Sequence, residues 1–172
     1  MKDQLAQEEL YTQYAKRMFG VCLRYAGHAM EAQDILQEGF IRVFQQLNKF
    51  RFESPLENWI RRVIINTAIS VAKRELRFKR TDELSLPFQT GTEDFEGISK
   101  LTHQEILQLI QELPLGYRTV FNLHTIEGYS HKEIGKLLEI SENTSKSQLY
   151  AAKKRLREQL INRENGSRRE RS

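Results

Sequence analysis

Two stretches with the periodicity of α-helices, separated by a stretch that has none, dominate this sequence of 172 residues. The first stretch contains an apolar series that consists of Leu36, Phe40, Val43, Phe44 and Leu47. This spacing is that of one buried face of a helix. Because helix formers dominate and the chain contains only 3 prolines and 9 glycines, the pattern predicts an all-α protein.

The aperiodic stretch predicts a linker between two helical domains. Residues 81–97 contain five acids and no base, and Pro87, Gly91 and Gly97 interrupt any helix. We therefore predict a first domain at residues 1–77, a flexible acidic linker at 78–98 and a second domain at 99–162. A disordered basic tail is expected at 163–172.

A loop and a second helix are predicted after Leu47. Ser54 precedes Pro55, and a residue before proline avoids helical dihedral angles. Helix resumes near Glu57, with outward-facing polar residues and a buried stripe. The predicted stripe consists of Ile60, Val63, Ile64, Thr67, Ala68 and Val71, and the outward face of Arg62, Asn66 and Lys73.

The second domain divides into four predicted helices, at residues 101–113, 116–127, 130–138 and 142–160, and the last two have the spacing of a helix-turn-helix. Ser130 and Glu133 fit a capping box, and Ser141 caps the last helix. Gly135 lies where the two helices would cross. Glu139 occupies the turn position that is usually glycine, at a cost of about 1 kcal/mol for a left-handed conformation.

The last helix has the features of a recognition helix. Such a helix needs short polar residues at its N-terminal end for base edges and nearby cations for phosphates. Residues 142–172 contain nine bases and four acids, a net +5, against +4 for the whole chain. The alternative is a plain helical hairpin with a solvated basic helix. The residues predicted to face outward are Asn143, Thr144, Lys146, Ser147 and Tyr150, followed by Lys153, Lys154 and Arg155.

Both domains together resemble the sigma-70 family, and specifically the extracytoplasmic-function (ECF) RNA polymerase sigma factors. The first domain contains QDILQEGFIRVFQQLNKFRFESPLENWIRRVIINTAIS, and the second contains ELPLGYRTVFNLHTIEGYSHKEIGKLLEISENTSKSQLYAAKKRLRE. Residues 5–162 carry the resemblance, which implies a region 2 helical bundle and a region 4 helix-turn-helix.

The resemblance implies roles for three sets of residues. The residues expected to dock on the β′ subunit of polymerase are Asp34, Gln37, Glu38 and Arg42, which taken alone would be an ordinary solvated face. The residues expected to capture and recognise –10 DNA are Phe50, Arg51, Phe52, Glu53, Ser54, Arg62 and Asn66. The residues expected to contact –35 DNA are Asn143, Thr144, Lys146, Ser147, Tyr150, Lys153 and Lys154.

Some positions carry a structural alternative or depart from the family. We expect one of Phe50 and Phe52 to anchor the loop on the core, and Trp59 to be a core residue. Ala151 stands where many relatives have arginine, and Ser145 where valine is common. These departures affect which promoter sequence is recognised.

The resemblance implies a sigma factor that directs core polymerase to promoters by –35 binding and –10 melting. The expected partners are the β′ and β subunits of bacterial RNA polymerase, promoter DNA and an anti-sigma factor. Two alternatives remain open: a sigma-like module that binds anti-sigma factors without touching DNA, and a helix-turn-helix regulator that acts without polymerase.

Other classes of function are disfavoured. A single cysteine, Cys22, provides neither a disulfide framework nor a cysteine-based metal site, and four scattered histidines lack metal-ligand spacing. The chain has no glycine-rich phosphate loop. We therefore expect no enzymatic activity, no cofactor, no metal and no small-molecule substrate. Without a signal-peptide pattern or a membrane-spanning run, we expect a cytoplasmic protein that does not insert into membranes.

Overall fold

The computed structural model describes residues 2–79 and 102–169, and within these ranges all regular structure is helical. The helices are α1 (Lys2–Tyr25), α2 (Ala29–Gln46), α3 (Leu56–Lys79), α4 (His103–Gln111), α5 (Leu115–Phe121), α6 (His131–Leu138) and α7 (Glu142–Arg169). The chain divides into two compact units, Met1–Glu75 and Leu76–Ser172. The all-α prediction with two helical domains is thereby confirmed.

Most of the predicted linker, residues 80–98, lies outside the described residues, as do residues 170–172. At the other boundary the structure differs from the prediction. Helix α7 continues to Arg169, whereas the sequence pattern predicted a disordered tail from residue 163. No proline follows Pro114 in the chain, so nothing in the backbone chemistry forces the helix to stop at 162.

The first unit is a three-helix core. Met18 and Cys22 of α1, Phe40 of α2, and Ile60 and Ile64 of α3 are all at most 2% exposed. Helices α2 and α3 approach closely at Gly39, where an added Cβ would collide with the Ile64 side chain. This close approach fixes α3, and with it the loop that precedes α3.

The predicted apolar stripes are confirmed in outline, with a shift in their edges. Phe44, Leu47 and Val63 are half-buried, while Ile35, Ile65 and Ile69 are buried. The buried face of α2 is therefore centred nearer to Ile35 than predicted, because Gly39 brings that side of the helix against α3.

The second unit contains the four predicted helical segments. The segment predicted at 116–127 is α5, followed by a widened helical turn at Asn122–Ile126. The buried Arg118 closes the end of α4, since its guanidinium donates to the carbonyl oxygens of Gln111 at 2.8 Å and Leu113 at 3.4 Å. This buried charge has the backbone partners that burial requires.

Candidate nucleic-acid interface

The first helix of the helix-turn-helix begins at the predicted capping box. The Ser130 hydroxyl accepts from the Glu133 amide at 3.3 Å, and the Glu133 carboxylate accepts from the Ser130 amide at 2.8 Å. Hydrogen bonds from Ser130 hold the pKa of Glu133 below its usual value. Both groups satisfy amides that the first turn would otherwise leave without partners.

The turn between the two helices has the predicted geometry. Glu139 adopts a left-handed conformation, with φ 58° and ψ 42°. The amide of Ile140 then donates to the carbonyl of Gly135 at 3.0 Å. A Cβ at Gly135 would lie 2.9 Å from the carbonyl oxygen of Ile140, so this position requires glycine for the close approach of the chain.

Helix α7 begins at Ser141, as predicted. The Ser141 hydroxyl accepts from the amide of Thr144 at 2.9 Å, and it lies 2.8 Å from the Thr144 hydroxyl. On the inner side of α7, Leu149, Ala152 and Leu156 are buried. The cap and this apolar stripe together fix which face of α7 is turned outward.

The residues predicted to contact –35 DNA share that outer face but differ in exposure. Asn143, Lys146 and Lys154 are exposed, whereas Thr144, Ser147, Tyr150 and Lys153 are half-buried. The Ser147 hydroxyl donates to the Thr144 carbonyl at 3.0 Å, which leaves its oxygen lone pairs as acceptors. The Lys146 ammonium lies 2.8 Å from the Glu142 carboxylate.

One polar contact on the inner side was not predicted. Ser145 is fully buried, and its hydroxyl lies 2.9 Å from Nδ1 of His131 at the start of α6. The His131 ring also stacks on His124, with ring centroids 4.4 Å apart. Burial, His124 and Lys146 all lower the pKa of His131. His131 therefore links the two helices of the motif.

The loop before α3 presents an aromatic cluster. Phe50 is half-buried, and its ring lies 5.4 Å from that of Trp59 and 4.7 Å from that of Phe52, between centroids. Phe52 is 86% exposed and has a φ of 57°. Of the two phenylalanines, one of which was expected to anchor the loop on the core, Phe50 is the one that contacts α3, through Trp59. Trp59 is half-buried rather than a full core residue.

The remaining residues predicted to contact –10 DNA lie in this loop and on α3. Arg51, Glu53 and Ser54 are exposed in the loop. On α3, Arg62 and Asn66 are both exposed and lie four residues apart, which puts them on the same helix face. The loop and this face of α3 are thus both exposed to solvent.

The α2 face predicted to dock on polymerase is only partly exposed to solvent. Asp34 and Gln37 are exposed, whereas Glu38 and Arg42 form an ion pair in which N and O are 2.5 Å apart. Arg42 also lies 3.5 Å from the Ser70 hydroxyl on α3. Two of the four residues are thus positioned by contacts within the domain.

The part of the chain that the structure describes contains neither of two other kinds of feature. No group of three or more histidine, cysteine, aspartate or glutamate side chains is arranged to hold a metal ion there. Nor does any helix in that part combine the length and apolarity needed to span a membrane.

Comparison with known proteins gives the family. The family model "Sigma-70 region 2" matches residues 10–78, and "Sigma-70, region 4" matches residues 103–156. The RNA polymerase sigma-H factor of Pseudomonas aeruginosa is 30% identical over 167 residues, which cover 88% of this chain and 84% of that protein. The ECF RNA polymerase sigma factor SigW of Bacillus subtilis is 30% identical, with 92% and 90% covered.

A solved structure has a similar fold. The sigma factor RpoE, in complex with the anti-sigma factor NepR from Bartonella quintana, matches with a TM-score of 0.50 at 16% identity, over 88% of this chain and 94% of that chain. The two matched regions and the sequence relatives show that the chain belongs to the sigma-70 family, as an ECF sigma factor that directs RNA polymerase to promoters.

Proposed function

We propose that this sigma factor divides promoter recognition between its two domains. Helix α7 of the second domain binds the –35 element, and the loop at 50–54, with Arg62 and Asn66, captures a base of the –10 element and opens the duplex. The boundaries at 1–77, 78–98 and 99–162 remain a prediction, in which the acidic linker joins the two activities.

The –10 role rests on one observation, the exposed ring of Phe52. An exposed aromatic side chain with positive φ costs free energy, and such strain is typical of functional sites. The Phe52 ring packs on Phe50, which in turn contacts Trp59, so an unstacked nucleobase would find an apolar wall there. Arg51 and Ser54 supply polar groups beside it. Stacking on this ring would offset part of the free energy that a base loses when it unpairs and leaves the duplex.

The –35 role is supported by the charge along α7. Asn143 and Lys146 are exposed near the N-terminal end of the helix, where base edges of the major groove are within reach. Lys153 and Lys154 follow two turns later, where phosphates lie beside the groove. Thr144, Ser147 and Tyr150 complete this proposed contact surface.

Polymerase docking is proposed for α2, through Asp34, Gln37, Glu38 and Arg42. The exposed Asp34 and Gln37 would make the first contacts with the β′ subunit. The Glu38–Arg42 pair holds two polar heads in a fixed position, which lowers the entropy lost on binding. The second domain would contact the β subunit.

The RpoE structure contains an anti-sigma factor, and we propose that an anti-sigma factor also binds this chain. We propose that the chain itself carries out no catalysis and uses no cofactor, because polymerase performs the chemistry. Its site of action would be the cytoplasm, where polymerase and promoter DNA meet.

The variant Phe52→Ala tests the proposed role in strand opening. Holoenzyme is reconstituted from core polymerase and the full-length chain, and permanganate reactivity of thymines around –10 reports opening. We expect opening to fall about tenfold, consistent with loss of one stacked base at about 1–3 kcal/mol. Recruitment to closed promoter DNA should be unchanged.

Phe78→Ala is the matched control, since it removes the same aromatic ring from a position outside the loop. Phe78 is 81% exposed. Unchanged opening by Phe52→Ala would refute the proposed –10 role. Failure of the wild-type chain to bind core polymerase would favour the module that only binds anti-sigma factors. Specific DNA binding without core polymerase would favour the stand-alone regulator.

A further inference from the structure

The N-terminal end of α7 carries two opposite charges that are paired with each other. Among residues 142–150, Glu142 is the only acid and Lys146 the only base. Their charged atoms are 2.8 Å apart, and the side chains are 49% and 44% exposed. Lys146 also lowers the pKa of Glu142, so the carboxylate is ionised at neutral pH. The end of the helix proposed to read bases thus has no net charge.

A carboxylate at this position works against general attraction to DNA. The phosphate backbone repels it, and the cations that attract phosphates lie further along α7, at Lys153, Lys154 and Arg155. Glu142 therefore lowers affinity for most sequences. It stabilises a complex only where the major groove offers a hydrogen-bond donor.

A G·C pair offers both partners that this charge pair needs. In the major groove guanine presents the acceptors O6 and N7, and cytosine presents the amino donor N4. Successive base pairs are spaced about 3.4 Å along the duplex, so two charged heads 2.8 Å apart can meet one base pair or two neighbours. The existing ion pair holds both heads at this separation before DNA arrives.

We infer that Glu142 is a specificity-determining residue of the –35 interface, which accepts a hydrogen bond from a cytosine amino group while Lys146 donates to a guanine. This inference rests on the proposed function, because it requires the N-terminal end of α7 in the major groove. Guanine or thymine in place of this cytosine would leave the carboxylate facing acceptors or a methyl group, and adenine, although its N6 is a donor, places the acceptor N7 beside it.

The test is a selection experiment with holoenzyme reconstituted from core polymerase and the full-length chain. Promoter fragments with a randomised –35 element are bound, recovered and sequenced for wild type, Glu142→Ala and Glu142→Gln. We expect wild type to prefer cytosine at one position, on one strand, by about fivefold or more. Glu142→Ala should abolish that preference and leave the other positions unchanged.

Glu142→Gln gives a sharper result, because a glutamine side chain pairs with adenine through one acceptor and one donor. At the same position the preference should move from cytosine towards adenine. Glu158→Gln is the control, since it removes the same charge from an exposed site four turns further along α7, and its profile should match wild type.

Three outcomes would overturn the inference. A uniform gain in affinity for all sequences with Glu142→Ala would make Glu142 only a counter-ion of Lys146. A wild-type preference that both Glu142 variants retain would refute the role of Glu142 alone. A wild-type holoenzyme with no preference at –35 would refute the proposed –35 function and this inference with it.

Discussion

At the residue scale, the contact between His131 and Ser145 is the clearest case of a side chain whose role depends on the fold. The hydroxyl of Ser145 is buried, and a buried hydroxyl without a partner would cost about 1–3 kcal/mol. Nδ1 of His131, 2.9 Å away, satisfies it. The buried Ser145 is therefore accommodated by a polar pair that ties α6 to α7.

The partial burial of His131, with the nearby His124 and Lys146, predicts that the second domain loses stability on mild acidification. The folded state lowers the pKa of His131 below its ordinary value of 6.5, so the unfolded chain binds a proton more readily. Stability falls as the pH drops through that value, until the folded protein is also protonated. The pKa values of Glu105, Glu133 and Glu142 are also lowered in the folded state, from 4.5. These shifts change stability in more acidic solution, outside the pH range in which His131 titrates.

Thermal unfolding of wild type and His131→Gln, followed by circular dichroism between pH 7.5 and 5.5, measures the effect. We expect the melting temperature of wild type to fall more steeply with pH than that of the variant. Parallel curves would show that His131 contributes nothing to the pH dependence.

Neither partner of this contact was predictable from the sequence, because the two residues are 14 positions apart and belong to different helices. Periodicity predicts which face of a helix is buried. It does not predict which buried polar atoms meet. The capping box of Thr102 and Glu105, by contrast, has the same spacing as Ser130 and Glu133 and could have been predicted.

At the element scale, the helix-turn-helix follows from a few local rules. Its caps and its glycine were predictable because each depends on residues within five positions of one another. The loop at 50–54 was predictable as a loop from Ser54-Pro55. The exposure of Phe52 and the half-burial of Phe50 could not be predicted, because they depend on where α3 places Trp59.

Gly135→Ala is expected to destabilise the helix-turn-helix. The new methyl group would lie 2.9 Å from the backbone oxygen of Ile140, and a backbone atom cannot move aside as a flexible side chain does. Overpacking of this kind costs about 1–3 kcal/mol. Urea unfolding followed by circular dichroism should give a lower midpoint.

Gly20→Ala is the control for that measurement. Gly20 lies within α1, and an added Cβ would meet nothing within 4 Å. Alanine is favoured over glycine inside a helix by about 0.5–1 kcal/mol, so this variant should be slightly more stable than wild type. Equal midpoints for both variants would contradict the steric account of the turn.

At the scale of the whole molecule, the two units carry different kinds of surface. The first presents an exposed aromatic ring in a strained loop, and the exposed side chains of Arg62 and Asn66 on α3. The second presents a helix with lysines along its outer face. The former suits an opened strand, and the latter suits an intact duplex. The order of these two surfaces along the chain is the order of region 2 and region 4.

The division of labour between the two domains is tested most directly by run-off transcription on two templates, one fully paired and one with a mismatched, already open –10 segment. Holoenzyme is assembled with wild type, Phe52→Ala or Lys146→Ala. Both variants should transcribe the paired template poorly. We predict that the open template restores transcription by Phe52→Ala and leaves Lys146→Ala defective; rescue of both variants, or of neither, would contradict the account.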